Sequence, residues 1–207
     1  MDSTVAVERV WRKWAHAHNI NPDSIMEKAH GRRSVETLRM VAPHMDAEKE
    51  NLIVERMEIE DKEGIVSIAG ANELLGSLPP SRFMIVTSAT AALAAARLQY
   101  AGFRIPERMV TSEDVDQGKP FPEPYLKGAA ALGFAPADCV VFEDTPAGIQ
   151  AGKAAGMRVV ALTSTYEAEE LTAADAIVDS LAAVKARLQK GILCLELEVG
   201  SRAALSR

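Results

Sequence analysis

The first third of the chain has the hydrophobic spacing of amphipathic helices. From Val5 to Trp14 the apolar residues recur at helical spacing, without the alternation that marks a strand. Further helical runs follow, separated by glycine and proline, and the last of them covers residues 47–62 and is rich in charge. We therefore predict that residues 5–70 form a small helical domain.

The pattern changes after Gly70, where short apolar runs alternate with stretches of helical spacing. Strands are predicted, in chain order, at residues 83–86, 109–110, 139–142, 158–162 and 176–178. Strands that alternate with helices form a parallel sheet with right-handed crossover connections. We therefore predict an α/β domain made of residues 1–4 and 71–207.

Two more elements are predicted near the C-terminal end of the chain. Residues 181–188 are predicted as a helix that follows the last parallel strand. Residues 192–199 alternate apolar and polar side chains, which predicts a strand at the edge of a sheet.

The composition describes a globular protein without a broad basic surface. The chain has 207 residues, is 48% hydrophobic and 25% charged, and carries a net charge of −6 with a pI of about 5.3. We therefore expect neither a nucleic-acid partner nor a membrane partner. The chain has no membrane-length apolar stretch or signal peptide, and Cys139 and Cys194 fit no disulfide framework, so we expect a cytoplasmic protein.

Polar residues lie where a parallel sheet binds ligands, beyond the C-terminal ends of its strands. Ser88 follows the first predicted strand, and Lys119 lies in a Gly-Lys-Pro loop. Glu143 and Asp144 end a later strand. A hydroxyl at a helix start can hold a phosphate, a fixed ammonium suits a phosphoryl group, and paired carboxylates suit Mg²⁺.

Each of these positions has an ordinary alternative when it is considered alone. Ser88 could be a helix cap, Lys119 a solvated loop lysine, and the acidic pair a capping pair. Their order along the chain, with about one βα unit between neighbours, favours phosphoryl chemistry.

With these residues the chain resembles the haloacid dehalogenase superfamily of phosphohydrolases, in the group with an inserted helical cap. Ser88 matches the second motif of that superfamily, Lys119 the third, and Glu143 with Asp144 the fourth. The run FEDTPAGIQAG, which begins at Phe142, is the most specific match. The resemblance implies a parallel, Rossmann-like core sheet with the helical domain as its cap.

The segment His-Gly-Arg-Arg-Ser-Val-Glu-Thr resembles the cap loop of sugar and polyol phosphate phosphatases in that group. By this resemblance His30 and Arg33 face the substrate. The alternative is a capping loop with surface arginines.

The resemblance implies a Mg²⁺-dependent phosphatase that acts through an aspartyl-phosphate. In the family, an aspartate at the end of the first strand attacks phosphorus, and a second aspartate is the general acid and base. Glu143 and Asp144 would hold Mg²⁺. Lys119 would stabilise the transferring group, while Ser88 and Ala89 would bind the phosphate. The expected partner is a small phosphorylated metabolite, with a sugar or polyol phosphate as the substrate.

The first motif of the superfamily, a strand followed by DxDGT, has no match in the chain. Asp2-Ser3 matches the residues that come shortly after it, which would put the nucleophile upstream of Asp2. That strand is central in the family's sheet, so its neighbours would each lack a ladder partner. We therefore expect little or no turnover from the 207 residues. The gap could be filled by an upstream part of a longer protein, or by residues 192–199 of the same or a second copy.

Three other functions stay open. A non-catalytic relative could keep a phosphate-binding pocket, and a phosphomutase could use the same scaffold. A dehalogenase would leave the acidic pair unexplained, because those relatives need no Mg²⁺. The chain could be a monomer or a homodimer.

Overall fold

The computed structural model describes residues 1–198. The first four helices, here called the helical layer, come first in the chain, and alternating helices and parallel strands and an antiparallel hairpin follow. The helices are α1 (Thr4–Ala17), α2 (Asp23–Ala29), α3 (Ser34–Val41), α4 (Ala47–Glu60), α5 (Ala71–Ser77), α6 (Ala91–Tyr100), α7 (Glu123–Leu132) and α8 (Pro146–Ala154). The strands are β1 (Ile85–Val86), β2 (Met109–Val110), β3 (Val140–Glu143), β4 (Arg158–Leu162), β5 (Ala176–Val178), β6 (Val184–Gln189) and β7 (Ile192–Leu197). Within residues 1–198, no helix is both long enough and apolar enough to cross a membrane.

Helices α1 to α4 share an apolar core of their own. The side chains of Trp11 and Trp14 are fully buried in it, together with Leu38 and Val54 from α3 and α4. The indole N–H of Trp14 donates to the carboxylate of Glu50 at 2.9 Å, so this large side chain is buried without an unpaired polar atom. The predicted division at residue 70 stays a prediction.

The parallel strands confirm the predicted α/β fold. β3, β4 and β5 form one parallel sheet, in which Val141 lies opposite Val159. β4 is buried from Val159 to Leu162, because it is the central strand of this sheet and has apolar residues on both faces. β1 and β2 form a second parallel pair.

A cavity separates the two parallel sheets. Among residues 1–198, β1 pairs only with β2, and the free edge of β3 pairs with no strand. The cavity has a volume of about 610 Å³ and is lined by residues of both β1 and β3, including Val86, Val140 and Phe142. The described part of the sheet therefore has a gap at the position predicted for the first strand.

The helix predicted for residues 181–188 is wrong. After a single turn at Leu181–Ala183, the chain forms β6, which pairs antiparallel with β7. Lys190 and Gly191 connect the two strands, and both have positive φ values, 50° and 83°. A two-residue turn of this kind matches the twist of a hairpin, so pairing with β7 decides the structure of the segment.

The late strand is confirmed as far as Leu197, whereas Val199 lies outside the described residues. Because this strand pairs with β6, it does not enter the gap between β1 and β3 of the same chain. The expectation that residues 192–199 could fill the gap in cis is therefore wrong for the described part of the strand.

Two glycines that face open space test the hairpin turn. A Cβ atom at Gly191 or at Gly76 would meet no atom within 4 Å, but only Gly191 has a positive φ. We expect Gly191→Ala to lower the free energy of unfolding by about 1 kcal/mol, because alanine is strained in that conformation. Gly76→Ala lies inside α5 and should raise it by about 0.5–1 kcal/mol. Urea unfolding of both variants checks this, and a shift of the same sign in both would contradict the turn.

Candidate active site

The predicted site residues other than Arg33 come together near the C-terminal ends of β1 and β3. Ser88 follows β1, Glu143 ends β3, and Lys119 reaches them from the loop before α7. The cavity between the sheets extends to this end. Its lining includes the predicted residues His30, Ser88, Ala89, Lys119, Glu143 and Asp144.

Glu143 accepts hydrogen bonds on both carboxylate oxygens. Its Oε1 is bound by the Nζ of Lys119 and by the hydroxyl of Tyr125. Its Oε2 accepts the backbone N–H of Asp144 at 3.1 Å and the hydroxyl of Thr145 at 3.1 Å. Both oxygens of the carboxylate therefore have donors, which come from α7, the Lys119 loop and the two residues after β3.

The charge state of this cluster follows from burial and from the ion pair. Lys119 and Glu143 are 7% and 5% exposed. Burial opposes ionisation of Glu143, but the charge of Lys119 and the hydrogen bonds outweigh it, and the pKa of Glu143 is lowered. Burial and the Glu143 charge raise the pKa of Tyr125, so its hydroxyl stays protonated and donates.

Asp144 has a different environment. Its Oδ2 accepts the hydroxyl of Thr165 at 2.6 Å and that of Ser164 at 3.5 Å. Burial, followed by the charge of Glu143, raises the pKa of Asp144. A cation beside this carboxylate would offset both effects, because it favours the ionised form.

The carboxylate oxygens of Glu143 and Asp144 determine how well this site fits Mg²⁺. Residues 1–198 contain no group of three or more His, Cys, Asp or Glu side chains that could hold a metal ion. Mg²⁺ commonly takes only one or two protein carboxylates and completes its shell with water and phosphate oxygens. Asp144 suits this role better than Glu143, whose two oxygens have protein donors. The predicted metal roles of both residues stay predictions.

The loop between α2 and α3 lies against the strand ends. The Ser88 hydroxyl donates to the carbonyl of Gly31 at 2.9 Å. His30 Nε2 is buried and has no hydrogen-bond partner among the described residues, and its ring lies edge-on to that of Tyr166 at 5.9 Å. An imidazole nitrogen without a partner at the cavity is available to a ligand.

Arg33 lies away from the cavity. Its guanidinium donates to the carbonyls of Val115 and Asp116 at 2.9 and 2.7 Å and forms an ion pair with Glu36. Of the two arginines in this loop, Arg32 lines the cavity and Arg33 does not. The substrate-binding role predicted for Arg33 stays a prediction, and its contacts favour another role.

Sequence reasoning missed three residues of the site. Thr165 lies just after β4, so the rule that ligands lie beyond strand ends could have found it. Tyr125 lies in α7 and Arg32 beside Arg33, and no motif distinguishes either of them.

Comparison with known proteins identifies the family of the chain. Residues 1–162 match the family model of haloacid dehalogenase-like hydrolases. The chain belongs to this family. The predicted superfamily and its α/β fold are therefore confirmed.

Two relatives of this haloacid dehalogenase-like hydrolase are phosphatases by name. The chain is 39% identical over 186 residues to hexitol phosphatase A of Escherichia coli (strain K12), covering 87% of this chain and 86% of that protein. It is 32% identical over 181 residues to glycerol-1-phosphate phosphohydrolase 2 of Saccharomyces cerevisiae, covering 82% of this chain and 72% of that protein. The prediction of a phosphatase-type hydrolase is confirmed at this level.

Solved structures share the fold. A hydrolase from Pseudomonas syringae superposes with a TM-score of 0.72 at 24% identity, covering 85% of this chain and 86% of that one. A β-phosphoglucomutase from Clostridium difficile superposes with a TM-score of 0.71 at 22% identity, covering 89% and 87%. At these identities the likeness concerns the fold alone.

The buried ion pair predicts a stability that depends on pH once its lysine is removed. Lys119→Met would leave the buried Glu143 carboxylate without its charged partner, and we expect the free energy of unfolding to fall by about 3–5 kcal/mol at pH 8. In the variant, burial raises the pKa of Glu143, so the folded state keeps a proton that the unfolded state releases above about pH 4.3. The variant should therefore be less destabilised at pH 5 than at pH 8.

Urea unfolding at both pH values, in the presence of EDTA, measures this difference. The native Glu143 pKa is lowered, so this group gives the wild-type protein no slope between pH 5 and 8. Lys153→Met is the matched control, because the Lys153–Asp175 pair is about 40% exposed on both sides and should contribute less than about 1 kcal/mol. An equal loss at both pH values in Lys119→Met would contradict the assigned charge state.

Proposed function

We propose that this protein is a Mg²⁺-dependent phosphatase of small sugar or polyol phosphates. The observation that carries the proposal is the buried Lys119 at the end of a cavity whose lining also includes Ser88 and Asp144. An ammonium and a carboxylate that line the same cavity can bind an anionic phosphoryl group and its cation together. The names of the hexitol and glycerol-1-phosphate relatives support a sugar or polyol ester as the substrate.

The proposed roles follow from the contacts of each residue. Lys119 neutralises phosphoryl oxygens, while Glu143 holds its ammonium in place. Ser88 exchanges its bond to Gly31 for one to a phosphoryl oxygen, next to the backbone of Ala89. Such groups act by orienting the ester and excluding water.

Asp144 would hold Mg²⁺, oriented by the hydroxyl of Thr165. When bound, Mg²⁺ supplies charge neutralisation for the transferring phosphoryl group. We propose that Glu143 acts through Lys119 and does not ligate the metal.

We propose that residues 5–70 cover the site as a cap. The contact between Gly31 and Ser88 supports this role, because it joins the α2–α3 loop to the end of β1. We also propose a cytoplasmic setting with a small phosphorylated metabolite as the partner, since both described cysteines are free thiols.

An aspartyl-phosphate route also needs a carboxylate nucleophile beside Lys119. The side chain of Asp2 accepts the N–H of Thr4, the first residue of α1, at 2.8 Å, which is an Asx-turn contact. Glu143 is paired with Lys119, and Asp144 is the cation ligand of this proposal. We therefore propose that the 207 residues by themselves bind Mg²⁺ and phosphate ester but release little or no phosphate.

The metal role of Asp144 can be measured without turnover. We expect Asp144→Asn to weaken Mg²⁺ binding at least about tenfold, because a neutral amide replaces the charged ligand. Isothermal titration calorimetry with MgCl₂ is the measurement. Asp179→Asn is the control, since Asp179 directly follows β5 and is exposed. Equal Mg²⁺ affinity in Asp144→Asn and the wild type would contradict the assignment.

Substrate class and turnover are tested together on the full 207-residue chain. With Mg²⁺ present, we expect glycerol 1-phosphate or a hexitol phosphate to bind by calorimetry, with little release of inorganic phosphate. Rapid release would contradict the proposed inactivity but support the phosphatase assignment. Conversion of a hexose 1-phosphate into its 6-phosphate, followed by ³¹P NMR, would indicate a phosphomutase instead.

A further inference from the structure

The loop that carries Lys119 is fastened to α3 of the helical layer. The Arg33 guanidinium donates to the carbonyls of Val115 and Asp116, which lie a few residues before the lysine. The Glu36 carboxylate binds Arg33 at 2.5 Å and accepts the N–H of Gly118 at 3.3 Å. One ion pair on α3 therefore contacts the loop at three backbone groups.

The same loop is also held by α7. The carboxylate of Glu123, the first residue of α7, accepts the N–H groups of Asp116 and Gln117 at 3.1 and 2.8 Å. The loop thus lies between two helices, and Lys119 extends from it to Glu143. The backbone position of the loop depends on the contacts from α3 and on those from α7.

Gly118 lets α3 approach the loop closely. A Cβ atom at this position would lie 2.9 Å from Nε of Arg33 and 3.0 Å from Oε2 of Glu36, which is closer than such atoms normally pack. A larger residue would push α3 away from the loop or displace the ion pair. This close approach occurs at the residue directly before Lys119.

Burial separates this ion pair from the surface pairs of the helical layer. The side chains of Arg33 and Glu36 are 13% and 22% exposed, whereas those of Arg39 and Glu48 are 57% and 69% exposed. Charge-assisted hydrogen bonds that are shielded from water are stronger than exposed ones. The Arg33 fork also meets two carbonyls and a carboxylate at once, a geometry that lysine cannot reproduce.

We propose that Arg33 and Glu36 are positioning residues that hold the loop of Lys119 in place. The Lys119 ammonium then takes up its phosphate-binding position only when α3 is docked on this loop. This inference rests on the proposed phosphate-binding role of Lys119. It gives Arg33 an indirect action through the loop, in place of a direct contact with substrate. The helical layer then decides whether the charge of Lys119 is present in the site, in addition to its proposed role as a cap over the site.

Two measurements test this, and one of them needs no ligand. Lys119 is buried, so its reaction with an amine-acetylating reagent, followed by mass spectrometry, reports how often the loop leaves its place. We expect Arg33→Met and Glu36→Ala each to accelerate acetylation of Lys119 about tenfold, because charge-assisted hydrogen bonds are lost. The double variant should be acetylated at Lys119 little faster than either single variant, since Arg33 and Glu36 hold the loop as one ion pair, here called the clamp. Arg39→Met, on the same helix, should leave the rate unchanged.

The second measurement is the affinity for inorganic phosphate in the presence of Mg²⁺. We expect it to fall about tenfold in Arg33→Met and Glu36→Ala, while Mg²⁺ affinity alone, which depends on Asp144, stays unchanged. Arg33→Lys should not rescue phosphate binding, because one ammonium cannot bind both carbonyls. It also serves as the conservative variant if Arg33→Met folds poorly.

The outcomes separate this inference from the proposed function. Weaker phosphate binding with wild-type acetylation of Lys119, or rescue by Arg33→Lys, would overturn the positioning role and indicate a direct contact. Unchanged acetylation in every variant would also overturn it. Failure of the wild-type protein to bind phosphate would count against the proposed function, whereas accelerated acetylation would still support the clamp.

Discussion

The site depends on two opposite charges that stay together where water does not reach them. Lys119 and Glu143 are both buried, and either charge alone would lose hydration without an opposite charge to compensate for it. The hydroxyls of Tyr125 and Thr145 and the backbone amide of Asp144 also donate to the carboxylate. Because these groups come from β3, α7 and the loop before α7, the ion pair fixes the relative positions of all three segments.

The helical layer reaches this ion pair from outside by a chain of contacts. Arg33 and Glu36 bind the loop, the loop carries Lys119, and Lys119 binds Glu143. A separate contact, from Ser88 to the α2–α3 loop, joins the same layer to the end of β1. The two routes make the layer part of the polar site, although its apolar core is its own.

Strand ends could be predicted from sequence, but side-chain directions could not. Ser88 and Asp144 follow short apolar runs, and that local signal is enough to bring them to one edge of the sheet. The direction of Arg33 depends on the turn before α3 and on a loop distant in sequence, which no local pattern contains. The predicted helix at residues 181–188 is wrong for a related reason. The segment forms a strand because it pairs with β7 across the Lys190-Gly191 turn.

The gap between β1 and β3 also affects how the protein holds together. Within residues 1–198 the two parallel sheets exchange no backbone hydrogen bonds, so packing of helices and side chains must join them. The β1–β2 ladder is two residues long, whereas β4 is paired on both sides. The β1–β2 pair is therefore the less cooperative unit. A ligand that bound Ser88 and Asp144 at once would bridge these units and supply a linkage that the main chain does not provide.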